Sequence, residues 1–111
     1  MLELSQREEQ GWSVLVVSGR LDTKTVQKFS AECATWIDAS RANVVLDLSG
    51  LLYISSLGLS SLLGAAKRVQ ARSGRLAIAG LRGLVKEVFA ISGFETVLPT
   101  YPDVETAIKT S

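Results

Sequence analysis

The chain has 111 residues, 47% hydrophobic and 21% charged, which suits one small folded domain, residues 1–111, and excludes a disordered tail. Its 12 Lys+Arg against 11 Asp+Glu give a formal charge of +1, so the basic footprint of a nucleic-acid binder is missing. His is absent, which removes the usual general base near neutral pH, the Ser-His and Cys-His nucleophile pairs and the commonest zinc ligand. Most hydrolase chemistry falls with it, and neither a metal site nor a cofactor is expected. Leu2 and Leu4 alternate with Glu3 and Ser5, a polar QREEQG follows, and WSVLVVSG is apolar and β-branched, the pattern of a hairpin turning near Gln10-Gly11. After Gly19-Arg20-Leu21-Asp22 the period becomes 3.6, with Val26, Phe29, Cys33, Trp36 and Ile37 on one helical face and Asp22 or Thr23 as N-cap.

Asn43-Val44-Val45-Leu46-Asp47-Leu48 is short and β-branched, a central strand apolar on both faces except at Asp47. A loop is expected from Asp47 to the start of a helix near Ser55 or Ser56; that helix turns Leu59, Leu62, Leu63, Ala66 and Val69 inward and ends near Gly74. Leu76-Ala77-Ile78-Ala79 reads as a short strand, 82–91 as a helix with Leu84, Val85, Val88 and Phe89 inward, stopped at Gly93, and Thr96-Val97-Leu98 as the last strand. Pro99 and Pro102 frame a loop, and Asp103 starts a closing helix with Val104, Ala107 and Ile108 inward.

The order β-β-α-β-α-β-α-β-α defines an α/β class: a mixed five-stranded sheet with an opening β-hairpin and four helices, gathered mainly on one face or set on both. Cys33 has no partner for an internal disulfide, MLELSQREEQ is acidic and polar where a signal peptide is basic and then apolar, and no run reaches the ~20 apolar residues of a membrane span. These features predict a cytoplasmic protein that does not insert in a membrane.

Function in an open α/β sheet tends to sit beyond the carboxyl ends of its parallel strands. Two loops stand there: Gly19 to Thr23, and Asp47 to Gly58, which presents the hydroxyls of Ser55 and Ser56 at a helix start. Gly58 is expected to keep the first turn free of bulk, so that a phosphate or a partner backbone approaches closely. A Ser at such a position is ordinarily an N-cap, and capping is compatible with phosphorylation. Ser60, Ser61, Gly64 and Arg68 follow at helical spacing opposite the leucine stripe, either a partner's docking face or an ordinary solvated one. Asp47 is expected to accept backbone N–H groups of its loop, Cys33 to be core, and Trp12, near the hairpin turn, to pack rather than to serve as a half-exposed contact. A phosphoacceptor or magnesium site built on Asp22 and Asp47 lacks the carboxylates it needs, since the first strands end in Ser18-Gly19, and no GxxxxGK[ST] loop is present.

With Gly19-Arg20-Leu21-Asp22, Asp47-Leu48-Ser49-Gly50, Ile54-Ser55-Ser56-Leu57-Gly58-Leu59 and Gly93-Phe94 in order, the chain resembles the STAS domain family, specifically bacterial anti-sigma factor antagonists. The resemblance implies a non-enzymatic switch. Unmodified, it binds an anti-sigma factor that is also a serine kinase of the histidine-kinase-like ATPase type, and so frees a sigma factor; phosphorylated, it lets go, and a PP2C-type phosphatase resets it. Carried onto this sequence, Ser56 is the phosphoacceptor and Ser55 the second choice. Asp22, Ser55, Ser56, Gly58, Ser60, Ser61 and Gly64 form the partner-binding set. Many members read Asp-Ser-(Ser or Thr)-Gly here, whereas this chain places Leu57 at the second hydroxyl. The family also includes accessory subunits of lipid or anion transport systems, which need no phosphorylation.

Overall fold

The structure, a computed structural model, describes residues 1–39 and 42–110. Strands β1 (Leu2–Glu9) and β2 (Trp12–Leu21) pair antiparallel through a two-residue turn at Gln10 and Gly11, whose φ values of 50° and 84° give the left-handed turn that matches strand twist. Then follow α1 (Val26–Ala39), β3 (Val44–Ile54), α2 (Ser56–Gln70), β4 (Leu76–Ala79), α3 (Gly83–Ser92), a 3-10 turn (Phe94–Thr96), β5 (Thr100–Tyr101) and α4 (Val104–Thr110). The predicted order of five strands and four helices is the observed one.

The sheet runs β1-β2-β3-β4-β5, with every pair after the first parallel. Because each parallel strand is added on the same side of the last, right-handed crossovers place α1, α2 and α3 on one face. Phe29, Cys33 and Ile37 of α1, Leu59, Leu62 and Val69 of α2, and Val85 and Phe89 of α3 meet Leu15, Val17, Leu46, Leu48 and Ile78 there in the main core. Of the described helices only α4 crosses to the other face, where Val104, Ala107 and Ile108 cover Trp12, Val14, Val45, Ala77 and Ala79 in a second cluster.

Several expectations need correction. β3 does not stop near Leu48 but runs to Ile54, its length absorbed by two bulges: Val16 faces Asp47 but Ser18 faces Gly50, and Gly19 faces Leu51 but Arg20 faces Tyr53. Leu52, the extra residue of the second bulge, is 71% exposed. The last strand is Thr100–Tyr101 rather than 96–98; Phe94–Thr96 is a 3-10 turn that delivers Leu98 to the core, and the two prolines bracket a strand, not a loop. Trp12, by contrast, packs as expected, buried under α4. Leu84 is 53% exposed, Leu63 is only partly buried, and α2 ends at Gln70, short of Gly74.

Candidate functional site

The site is assembled where β2 and β3 end side by side. Leu21 is in register with Ile54, and the Ser55 N–H donates to the Leu21 carbonyl at 2.9 Å, so the turn into α1 and the start of α2 share a backbone bond. Asp22 organises the first turn. Its Oδ1 accepts from the N–H groups of Lys24 (3.0 Å) and Thr25 (3.2 Å), while the Thr25 hydroxyl accepts from the Asp22 N–H at 3.0 Å and donates to the Arg20 carbonyl at 2.8 Å. This reciprocal arrangement is a capping box in which Thr25 replaces the usual Glu or Gln. Asp22 thus caps the turn leading into α1, as one of the two expected candidates, although regular helix begins only at Val26. Desolvation pushes its carboxyl pKa up, but the bonds from Lys24 and Thr25 and the charge of Arg20 outweigh it, and the net shift is downward. Arg20 lies 3.6 Å from Asp22 Oδ2 and stacks over Tyr53 at 4.4 Å from the ring centroid, the residue paired with it across the strands.

At the start of α2 the two serines divide the work. Ser55 has extended backbone (φ −91°, ψ 173°), and its Oγ accepts from the Gly58 N–H at 3.1 Å, the geometry of an N-cap. Ser56 is exposed, and its hydroxyl bonds to no other described residue. No acidic side chain occupies the first turn, so the positive end of the helix dipole is uncompensated there. Leu57 beside it is 52% exposed, and Ser60 lies exposed on the Ser56 side of the helix, one turn on.

Three other expected site residues have different surroundings. Gly58 is buried, and a Cβ on it would stand 2.8 Å from both the Leu21 carbonyl oxygen and Ile54 Cγ1. Its lack of a side chain lets α2 sit on the ends of β2 and β3 and opens nothing to a partner. Ser61 and Gly64 lie on the side of α2 that borders α1, Ser61 partly buried and Gly64 exposed. With Ser30, Cys33, Ala34 and Arg68 they line a groove of about 200 Å³ between α1 and α2. The Ser61 hydroxyl turns back to the Gly58 carbonyl at 2.6 Å. Arg68 forks onto Asp38 of α1 at 2.9 and 2.6 Å, and that bond holds the Asp38 carboxyl below the usual range. Cys33, at the base of this groove, is core as expected, and burial pushes its thiol up to about 12. Asp47 accepts the Ser49 N–H at 3.0 Å, the backbone bond expected of it, but what it shapes is the first bulge of a continuous β3 rather than a loop.

Thr25 and Tyr53 were not among the expected site residues. The spacing of Thr25 three positions after Asp22 is a readable capping signal. Tyr53 has none, because its pairing with Arg20 exists only once both bulges are in place.

A strand-end turn capped by Asp22 is thus joined by a backbone bond to a helix capped by Ser55, with the Ser56 hydroxyl exposed beside the cap. Among the described residues no group of three or more His, Cys, Asp or Glu converges, and no helix is long and apolar enough to cross a membrane. Residues 3–107 match the STAS domain family, and the chain belongs to it. It is 35% identical over 98 residues to BtrV of Bordetella bronchiseptica, which bears the name of an anti-sigma factor antagonist, covering 88% of this chain and 84% of that protein. An anti-sigma F factor antagonist of Paenibacillus polymyxa is 25% identical over 101 residues, covering 90% of this chain and 86% of its own. In fold, the chain is similar to the crystal structure of an anti-sigma factor antagonist from Mycobacterium paratuberculosis, with a TM-score of 0.88 and 22% identity over 99% of this chain and 93% of that one.

Proposed function

We propose that this chain is a cytoplasmic anti-sigma factor antagonist that works by partner switching, with Ser56 as its phosphoacceptor. The observation that carries the reading is the division of labour at the start of α2: Ser55 is committed to the cap, whereas Ser56 is exposed and unbonded. The relatives named as anti-sigma factor antagonists favour the same class. In this reading Asp22, Ser55, Ser56 and Ser60 form the docking face, with exposed Leu57 as its apolar contact. Unmodified, the face binds an anti-sigma factor that is also a serine kinase of the histidine-kinase-like ATPase type and releases the sigma factor. A PP2C-type phosphatase restores the unmodified state.

The chain itself supplies no catalysis. The kinase brings ATP, metal and the groups that orient the hydroxyl. A phosphate on Ser56 adds about −1.5 to −2 charges beside helix N–H groups that already favour an anion, so the fold is kept while the surface changes. Against a partly desolvated partner surface, a loss of about 3 kcal/mol weakens binding by roughly two orders of magnitude.

The test is intact mass with site mapping on protein recovered from its native cells, beside Ser56→Ala and Ser55→Ala variants. One phosphate that disappears in Ser56→Ala and persists in Ser55→Ala supports the switch. A phosphate mapped to Ser55 moves the acceptor by one residue. No phosphate under any growth condition overturns the switch in favour of a constitutive docking subunit, such as one serving a membrane transporter.

A further inference from the structure

The two edges of the sheet are protected very differently. β5 is two residues long and closed in by Pro99 and Pro102, which carry no N–H to offer. β1 is eight residues long, and no described strand lies beyond it. Its register with β2 shows which backbone groups it turns away from β2. The Arg20 N–H donates to the Met1 carbonyl at 2.9 Å, so Met1 faces β2, and by alternation Glu3, Ser5, Arg7 and Glu9 do the same. The N–H and C=O groups of Leu2, Leu4, Gln6 and Glu8 therefore point outward. Lys28 of α1 reaches the Leu2 carbonyl from that side at 3.3 Å, in agreement with this alternation.

We propose that β1 is the contact of a twofold homodimer in which two copies of this strand pair antiparallel with Ser5 on the axis. A twofold pair of identical strands must place outward residues against outward residues, which leaves few registers. With Ser5 on the axis, Leu4 meets Gln6 of the second copy in hydrogen-bonded pairs, and Glu3 meets its Arg7 twice in the closer, non-hydrogen-bonded pairs. Moving the axis to Gln6 sets Glu3 against Glu9, and moving it to Arg7 sets Arg7 against itself. With the axis on Leu4, Glu3 meets Ser5 and the Glu3–Arg7 pairs are lost. Charge complementarity thus selects one register. An open groove of about 530 Å³ beside the edge, lined by Leu4, Leu15, Ala31 and Trp36 with Gln6 and Glu32, gains an outer wall when the second β1 is added. This inference stands independently of the partner-switching reading, since β1 contributes no residue to the docking face.

The experiment is sedimentation velocity of the full chain over a wide concentration range, with Glu3→Arg, Arg7→Glu, the double reversal and Ser5→Cys. Glu3 and Arg7 are exposed, so the reversals leave the core intact. A concentration-dependent dimer is expected, weakened about tenfold or more by either reversal and restored by both together. Ser5→Cys is expected to form a disulfide-linked dimer under mild oxidation, because the Cα separation of about 4.5 Å in such a pair lies within disulfide reach. The parent's one thiol, Cys33, is buried and does not compete. A chain that stays monomeric at millimolar concentration overturns the proposal, as does a dimer indifferent to the reversals and uncrosslinked through residue 5.

Discussion

The starts of α2 and α3 occupy equivalent places, each following a parallel strand at the same end of the sheet, yet they are built to different standards. At α2, Ser55 caps the helix, Gly58 lets it seat on Leu21 and Ile54, and a backbone bond ties it to the Asp22 turn. At α3, Arg82 has the extended backbone of an N-cap, φ −144° and ψ 159°, but makes no side-chain cap bond. Gly83 follows at φ +53° with open space around it, and Leu84 is left half exposed. Topology supplies both helix starts with unpaired N–H groups, whereas local side chains decide which one holds its shape when charge is placed on it.

The largest test of that contrast is Gly58→Ala. In a helix interior this change ordinarily stabilises by about 1 kcal/mol, but here the new methyl meets the Leu21 carbonyl and Ile54. Overpacking reverses the sign to a net loss of about 2 kcal/mol, or roughly 8 °C in Tm, measurable by calorimetry. Gly83→Ala meets no atoms and costs about 1 kcal/mol through its positive φ alone. Ser55→Ala loses the cap and about 1 kcal/mol, while Ser56→Ala stays within about 0.5 kcal/mol in urea titration; equal losses for the two would dissolve the division of labour between them. Arg82→Ser supplies the missing cap and raises stability by about 0.5–1 kcal/mol, bringing α3 closer to α2. The smallest effect is with pH. Asp22 has a lowered pKa in the folded chain, so its contribution is fully present above its unfolded pKa near 4 and is lost as pH falls through the folded value. Asp22→Asn flattens the acid limb of the stability profile, and an unchanged limb places its partners' contribution elsewhere.

The hairpin, three of the four helix faces and the caps at Asp22, Ser55 and Asp103 were legible in the sequence because each rests on local chemistry: alternation, 3.6 periodicity and a side-chain oxygen ahead of an apolar stripe. Asp103 accepts the Thr106 N–H at 2.7 Å in that manner. What escaped depends on neighbours. Ser49-Gly50 reads as a break, yet two bulges carry β3 through it against β2. Val97 is β-branched, but the pull of Leu98 into the core outweighs its strand preference. Helical spacing correctly put Ser61, Gly64 and Arg68 on one side of α2 and could not reveal that Asp38 of α1 waits there. Gly58 was rightly singled out and assigned the wrong reason, since a missing Cβ looks the same whether its space is filled by a partner or by the chain's own Leu21.

The strictly sequential strand order also bears on how the chain folds as it leaves the ribosome. Each strand after the first pairs with the one made just before it, so the sheet can lengthen in step with synthesis, without waiting for a distant segment. The exception is α4, which is made after all five strands and alone among the described helices covers Trp12, Val14 and Val45 on the second face. Until it emerges, that apolar face stays uncovered on the nascent chain, and a message truncated before Val104 yields a sheet that holds its main core yet is sticky on its back.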